Sequence, residues 1–169
     1  ASHDGDLTNI NMDNTGYRYY CWVVKVGSAG NIQWTKVYGN TPSDPNYNDV
    51  QGIYKITPLK NGDYLFGARV TGGAGDAPQV SGIIAYWIVR ADQQGTILWQ
   101  KTYGGNVVNV LKSGVITPEG NFVATGVIQT LNGVPHASIN GKFRGIWALK
   151  VSAADGTGLW SKAVGASAQ

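Results

Sequence analysis

The chain has 169 residues, enough for one domain with a sizeable core, and carries a net charge of +3. Charged residues make up only 14%, against 24 Gly, nine Tyr and six Trp, a balance that fits disorder poorly and suits short strands joined by turns. No apolar run approaches the roughly 18–20 residues that span a bilayer, and a single cysteine, Cys21, excludes an intrachain disulfide and a thiolate metal cluster.

In chain order, residues 1–17 are polar and rich in Asp and Asn, so a removed leader or an upstream segment is compatible with this start. Residues 20–26, rich in Val and aromatics, predict a strand, which Gly30 and Asn31 end in a tight turn. Residues 31–38 predict its partner, with Ile32, Trp34 and Lys36 on one face by their period of two. Next come strands at 50–57, closed by Pro58, and at 63–70, opened by Lys60-Asn61-Gly62. The set then recurs: 87–91, 96–103, 108–117 closed by Pro118, and 121–127 after Glu119-Gly120. Residues 145–151 and 158–163 complete ten expected strands, and no helical stripe with caps interrupts them.

The tryptophans fall into three pairs, Trp22 and Trp34, Trp87 and Trp99, Trp147 and Trp160, each pair ending two consecutive apolar stretches. Their neighbours repeat as well, in CWVVKVGSAGNIQWTKVYGN, YWIVRADQQGTILWQKTYGGN and IWALKVSAADGTGLWSKAVGAS. Self-similarity at a period of roughly 60 residues is the mark of a repeat architecture. The units span approximately 1–70, 71–127 and 128–169 of a single domain. Antiparallel strands in sets of four predict an all-β fold of β-propeller-type four-stranded blades. About two and a half blades are expected, at approximately 1–38, 49–103 and 109–164. That number does not close a ring, so other residues or other chains, including further copies, are expected to cover the open edges.

The pattern Tyr-x-x-Val-Lys-Val…Gly-Asn-Ile-x-Trp-x-Lys-x-Tyr-Gly resembles the repeat of a bacterial and archaeal class of secreted or cell-surface β-propeller proteins. The match covers 20–40, 85–106 and 145–165, and Ser2-His3-Asp4-Gly5-Asp6-Leu7 resembles the polar insertion that such repeats carry. The third unit departs from it, with an extra residue in Ala153-Ala154-Asp155-Gly156 and Val164-Gly165-Ala166 in place of Tyr-Gly-Gly. The resemblance implies a secreted or surface-exposed binding or structural module and names no ligand, since a fold does not fix a function. It also implies the order of strands in a blade, with 50–57 nearest the central axis and 96–103 outermost. A related resemblance is to quinoprotein-type propeller repeats, carried by Ala91-Asp92-Gln93-Gln94-Gly95-Thr96-Ile97-Leu98-Trp99 and, in part, by 154–160. In that group tryptophans dock neighbouring blades, and the cofactor-binding members need a metal site and a catalytic carboxylate; here one Glu, Glu119, lies in a predicted turn.

Recurrence of all six tryptophans at fixed strand positions points to packing between blades rather than sugar stacking. Six of the thirteen basic residues also recur: Lys25, Arg90 and Lys150 at one position, Lys36, Lys101 and Lys162 at another. Their stems are expected to cover the indoles while their heads reach water. Because they are spread over successive units, nucleic-acid binding is not expected, nor is membrane insertion. No His-x-x-x-His, Gly-x-Ser-x-Gly or phosphate-loop motif occurs, and residues 71–76 lack the Lys and helix of a phosphate loop. No catalytic residue is assigned, and no cofactor is expected apart from Ca²⁺, for which Asp4, Asp6 and Asn9 offer alternating oxygen ligands.

Connection lengths give a further lead. The short turns are 27–30, 59–62, 92–95, 118–120 and 152–156; the long links are 1–18, 39–48, 71–84 and 129–144. Alternating strand direction places all the long ones on one face, which often marks the binding face of a repeat protein. On it Tyr17, Tyr19, Asn46, Tyr47, Asn48, Asn132 and His136 are the expected contacts to a protein or glycan. The reading is a non-catalytic extracellular binding or structural module. Two others stay open: a cell-surface array or filament subunit joined through blade edges, and a quinoprotein-like or hydrolytic propeller enzyme.

Overall fold

The computed structural model describes residues 21–39, 49–71, 77–78, 84–104, 108–130 and 143–167. The described residues contain ten β-strands and no helix, hence none long and apolar enough to cross a membrane. The strands are β1 (Cys21–Val26), β2 (Ile32–Tyr38), β3 (Asp49–Pro58), β4 (Tyr64–Thr71) and β5 (Ala85–Ala91). They continue with β6 (Ile97–Tyr103), β7 (Val108–Ile116), β8 (Phe122–Thr130), β9 (Phe143–Val151) and β10 (Gly158–Ser167). They form a two-stranded sheet, β1-β2, and two four-stranded sheets, β3-β4-β5-β6 and β7-β8-β9-β10, antiparallel between neighbours throughout.

Local chemistry explains the hairpins. The β1–β2, β3–β4, β5–β6 and β7–β8 turns are closed by a backbone N–H at the fourth residue, donated to the carbonyl three residues earlier: Gly30 to Gly27, Gly62 to Leu59, Gly95 to Asp92 and Gly120 to Thr117. Each of those closing residues is a glycine with positive φ, a conformation that costs an L side chain about 1–2 kcal/mol. The one-residue insertion at 152–156 turns the last hairpin's closure into Gly156 N–H to Ser152 over one further residue. Asp92 caps its turn by accepting from Gln94 N–H and Thr96 N–H at 2.9 and 2.8 Å, and Asp155 accepts from Thr157 N–H and its hydroxyl at 3.0 and 2.8 Å. A bulge recurs at one repeated place, Lys25/Val26, Arg90/Ala91 and Gly158/Trp160, and twists each hairpin alike.

The three sheets stack face to face in chain order. Alternation along β5 shows how: Trp87, Val89 and Ala91 point to the first sheet, into a core with Cys21, Val23, Tyr38, Phe66, Ala68 and Val70. Tyr86 and Ile88 point the other way, into a second core with Leu65, Leu111, Phe122, Trp147, Leu149 and Val151. The middle sheet is thus covered on both faces, which is why β5 is apolar at nearly every position rather than alternating with polar residues. Each fully buried Val, Leu, Ile or Phe side chain contributes about 1.5–3 kcal/mol to holding the stack.

Among the described residues the expected succession of paired strands and short turns holds, and the differences lie at strand ends. β8 runs on to Thr130 and β10 to Ser167, beyond the expected limits of 127 and 163. In both cases the partner carries the extension: Thr130 pairs with Phe143, and Gly165, Ala166 and Ser167 pair with Gly145, Arg144 and Phe143. In β10 the small residues Gly165, Ala166 and Ser167, with little strand preference of their own, become strand because β9 offers a free ladder.

Candidate functional site

The best-defined repeated chemistry lies where one sheet meets the turn of the next. Trp34, on β2, donates its indole N–H to the Gln93 carbonyl at 2.8 Å, and Tyr38 its hydroxyl to the Gly95 carbonyl at 2.6 Å. Trp99 and Tyr103, the matching residues of β6, donate to the carbonyls of Ala153 and Gly156 in the next turn. Residues i and i+4 of a strand share a face, so one Trp and one Tyr reach the same turn together. The basic residue of the preceding strand joins them: Lys25 donates to the Gln93 carbonyl at 3.3 Å and Arg90 to that of Ala153 at 3.0 Å. These heads were expected in water; they instead bind backbone carbonyls of the following sheet, because the turn arrives at their reach once the sheets stack.

The turn glycines are part of this clamp. A Cβ on Gly95 would lie 2.8 Å from Lys36, 3.0 Å from Tyr38 and 3.1 Å from Trp34. On Gly156 it would lie 2.7 Å from Trp99 and 3.0 Å from Tyr103. Positive φ and close approach both call for glycine there.

The six tryptophans divide three ways. Trp87 and Trp147 are buried in the cores, and Trp34 and Trp99 are half-buried clamp donors. Trp22 and Trp160, at the two ends of the stack, stay 47% and 44% exposed. Aromatic pairs reinforce both interfaces, Tyr38 with Phe66 at 4.8 Å and Tyr86 with Trp147 at 4.7 Å between ring centroids.

The acids whose side chains are described are engaged in local structure. Asp63 accepts from Arg90 at 2.6 and 3.1 Å and from Asn61 at 2.8 Å, and the Arg90 hydrogen bond outweighs burial to hold its carboxyl below the ordinary value. The Thr157 backbone N–H and hydroxyl bring Asp155 down to about 2. Glu119 is lowered by the Thr117 hydroxyl, its own backbone N–H and Lys150, whose ammonium lies 3.5 Å away. Among the described residues no three His, Cys, Asp or Glu side chains come together as a metal site would require. Cys21 is buried, and burial pushes its thiol up to about 12, so it stays protonated and unreactive at neutral pH. A cavity of about 90 Å³ lies between the first two sheets, lined by Val23, Lys25, Trp34, Ile56, Tyr64 and Phe66. Ligand pockets typically measure ~300–1,000 Å³, so this one is a packing defect in scale.

The expected ligand contacts Tyr17, Tyr19, Asn46, Tyr47, Asn48, Asn132 and His136 lie outside the described residues, as do the expected calcium ligands Asp4, Asp6 and Asn9. The strand ends that frame them are described. β4 ends and β5 begins side by side, with Val70 paired to Ala85, and β8 and β9 do the same, with Thr130 paired to Phe143. Both long links therefore leave from the edge of the stack opposite the clamp turns. At that edge Asn109 N–H donates to the Ile84 carbonyl at 3.1 Å, tying the second sheet to the third. No protein-family model matches the chain, and no curated protein matches it.

Proposed function

We propose that the protein is a non-catalytic β-propeller-type module, secreted or on the cell surface, that engages a protein or glycan through the long connections on one face. In this reading the three sheets are successive blades, with β3 and β7 toward the axis and β6 and β10 outside. The observation that carries it is the division of labour between the two edges of the stack. One edge holds the short turns, and two of them, 92–95 and 152–156, are held in the clamps, with Trp, Tyr and basic heads bound to their backbone carbonyls. The other edge sends out the long links, which differ in length and sequence from unit to unit. Among the acids whose side chains are described, Asp63, Asp92, Glu119 and Asp155 serve caps and ion pairs on the clamp edge. The chain's binding to a glycan array and to cell-surface protein extracts tests the reading, compared with Tyr47→Ala and His136→Ala. Binding lost in these variants supports the assigned face; binding unchanged by both removes it.

A further inference from the structure

The two interior contacts between sheets are one contact made twice, and the chain holds a third copy of each half. The donor half is a Trp and a basic residue converging on one turn carbonyl: Trp34 and Lys25 on Gln93, Trp99 and Arg90 on Ala153. Trp160 on β10 and Lys150 on β9 occupy the same places; Trp160 is 44% exposed, and the Lys150 ammonium lies 3.5 Å from Glu119 at the turn of its own sheet. Around them Ile146 is 61% and Val164 68% exposed, where the matching Tyr86 is fully buried.

The acceptor half is a glycine turn beside an outward apolar row of the strand before it. The 27–30 turn closes as the 92–95 turn does, Gly30 N–H to Gly27 at 2.9 Å against Gly95 N–H to Asp92 at 3.0 Å, with φ of +81° and +77°. At Gly95 and Gly156 a Cβ would strike the preceding sheet, whereas at Gly30 it meets nothing within 4 Å. Next to this turn Trp22 and Val26 are 47% and 58% exposed, while their counterparts Trp87 and Ala91 are buried under the preceding sheet.

We infer that the β9–β10 face of one copy of this chain docks on the β1–β2 face of a second copy, with Trp160 and Lys150 meeting the Ser28 carbonyl. A second copy is the occupant because each exposed half has its complement elsewhere among the described strands, in a geometry they already use twice. Such a contact is heterologous, so it propagates head to tail into a ring or a filament. One donor is missing: Val164 stands where Tyr38 and Tyr103 donate to Gly95 and Gly156. The Gly30 carbonyl therefore gains no hydroxyl partner, and the contact between copies is weaker than the two inside the chain. The inference rests on the repeated clamp and is independent of what the long connections bind.

Sedimentation velocity of the whole chain over a concentration series tests it, with Gly30→Asn, Trp160→Ala and Val164→Tyr beside the unsubstituted protein. Asn tolerates the left-handed backbone of Gly30 and has open space there in the single copy, so this variant keeps its fold while blocking the acceptor. The unsubstituted chain is expected to associate. Gly30→Asn and Trp160→Ala each raise the half-association concentration by roughly tenfold or more, and Val164→Tyr lowers it by roughly fivefold by restoring one hydrogen bond. An equimolar mixture of Gly30→Asn and Trp160→Ala is expected to stop at a dimer, because one intact donor meets one intact acceptor and both remaining ends are blocked. A chain that stays monomeric, as it would if an unrelated partner covers these faces, overturns the inference. Association unchanged by Gly30→Asn overturns it too. Glycan or protein binding by the loop face is read separately in the dimer-blocked variant, so failure of either idea is distinguishable from failure of the other.

Discussion

Replacing Arg90 by Met tests the covered Arg90–Asp63 pair of the second sheet, whose guanidinium also reaches the third sheet. Met keeps most of the aliphatic stem and removes the guanidinium, which makes two hydrogen bonds to Asp63, at 2.6 and 3.1 Å, and one to the Ala153 carbonyl. The Ala153 carbonyl keeps the Trp99 indole N–H at 3.0 Å, so its loss is small. Asp63 keeps only the short-range bond from Asn61 among the side-chain donors described for it, and its carboxylate is covered. The Arg90 and Asp63 side chains are 19% and 11% exposed. An exposed pair contributes about 0–1 kcal/mol, whereas stranding one partner of a buried pair costs about 3–5 kcal/mol. With the carboxylate nearly covered but not wholly dry, we expect Arg90→Met to cost about 2–3 kcal/mol. Asp63→Asn should cost less, because the amide oxygen still accepts from Arg90. The double variant should fall short of the sum of the singles by about 1–2 kcal/mol. Urea unfolding at neutral pH measures all four stabilities. Asp63 has a folded pKa below its unfolded value, so its contribution is present above about pH 4 and fades as pH falls through the lower, folded value. The deficit of Arg90→Met should therefore shrink in acid. A loss under about 0.5 kcal/mol at neutral pH, with no coupling to Asp63→Asn, would refute the assignment of this pair as a covered, stabilising ion pair.

Gly156→Ala should destabilise more than Gly120→Ala by about 1–3 kcal/mol: both force alanine into positive φ, but only the first drives a methyl to 2.7 Å from Trp99. Equal losses in thermal or urea unfolding would mean that the turn does not seat against β6. Tyr103→Phe removes the hydroxyl donor to the Gly156 carbonyl and should cost about 1–2 kcal/mol, while Tyr54→Phe, at an exposed position, should cost almost nothing. Cys21, buried with its thiol at about 12, should react with a thiol reagent at pH 8 at least ~100-fold more slowly in the native chain than in urea. Reaction at the unfolded rate would show that the first sheet does not rest on the second.

The clamp was partly legible in the sequence. Trp34 with Tyr38 and Trp99 with Tyr103 recur four residues apart, and the glycines of the following turns recur with them. That spacing places each Trp and Tyr on one strand face, but it does not say that the face meets a turn of the next sheet. The basic positions were visible as repeats, yet their partners are carbonyls 68 and 63 residues away in sequence, Gln93 for Lys25 and Ala153 for Arg90. The expected ligand contacts followed from link lengths and strand alternation, which is a statement about which edge they occupy and nothing finer.

By itself the sequence determined the strands, because alternating apolar residues bounded by Gly, Asn and Pro leave the backbone few other ways to satisfy its hydrogen bonds. The repeat also determined that the sheets are alike. Tertiary structure alone decided which of the like residues are used. Trp22, Trp87 and Trp147 share one place in the repeat, but Trp87 and Trp147 are covered by a preceding sheet and Trp22 is not. Tyr86 is buried where Ile146 is exposed for the same reason at the other end. Burial is a property of the neighbour, not of the residue, and a repeat read one unit at a time contains no information about which of its units stands at the end of the stack.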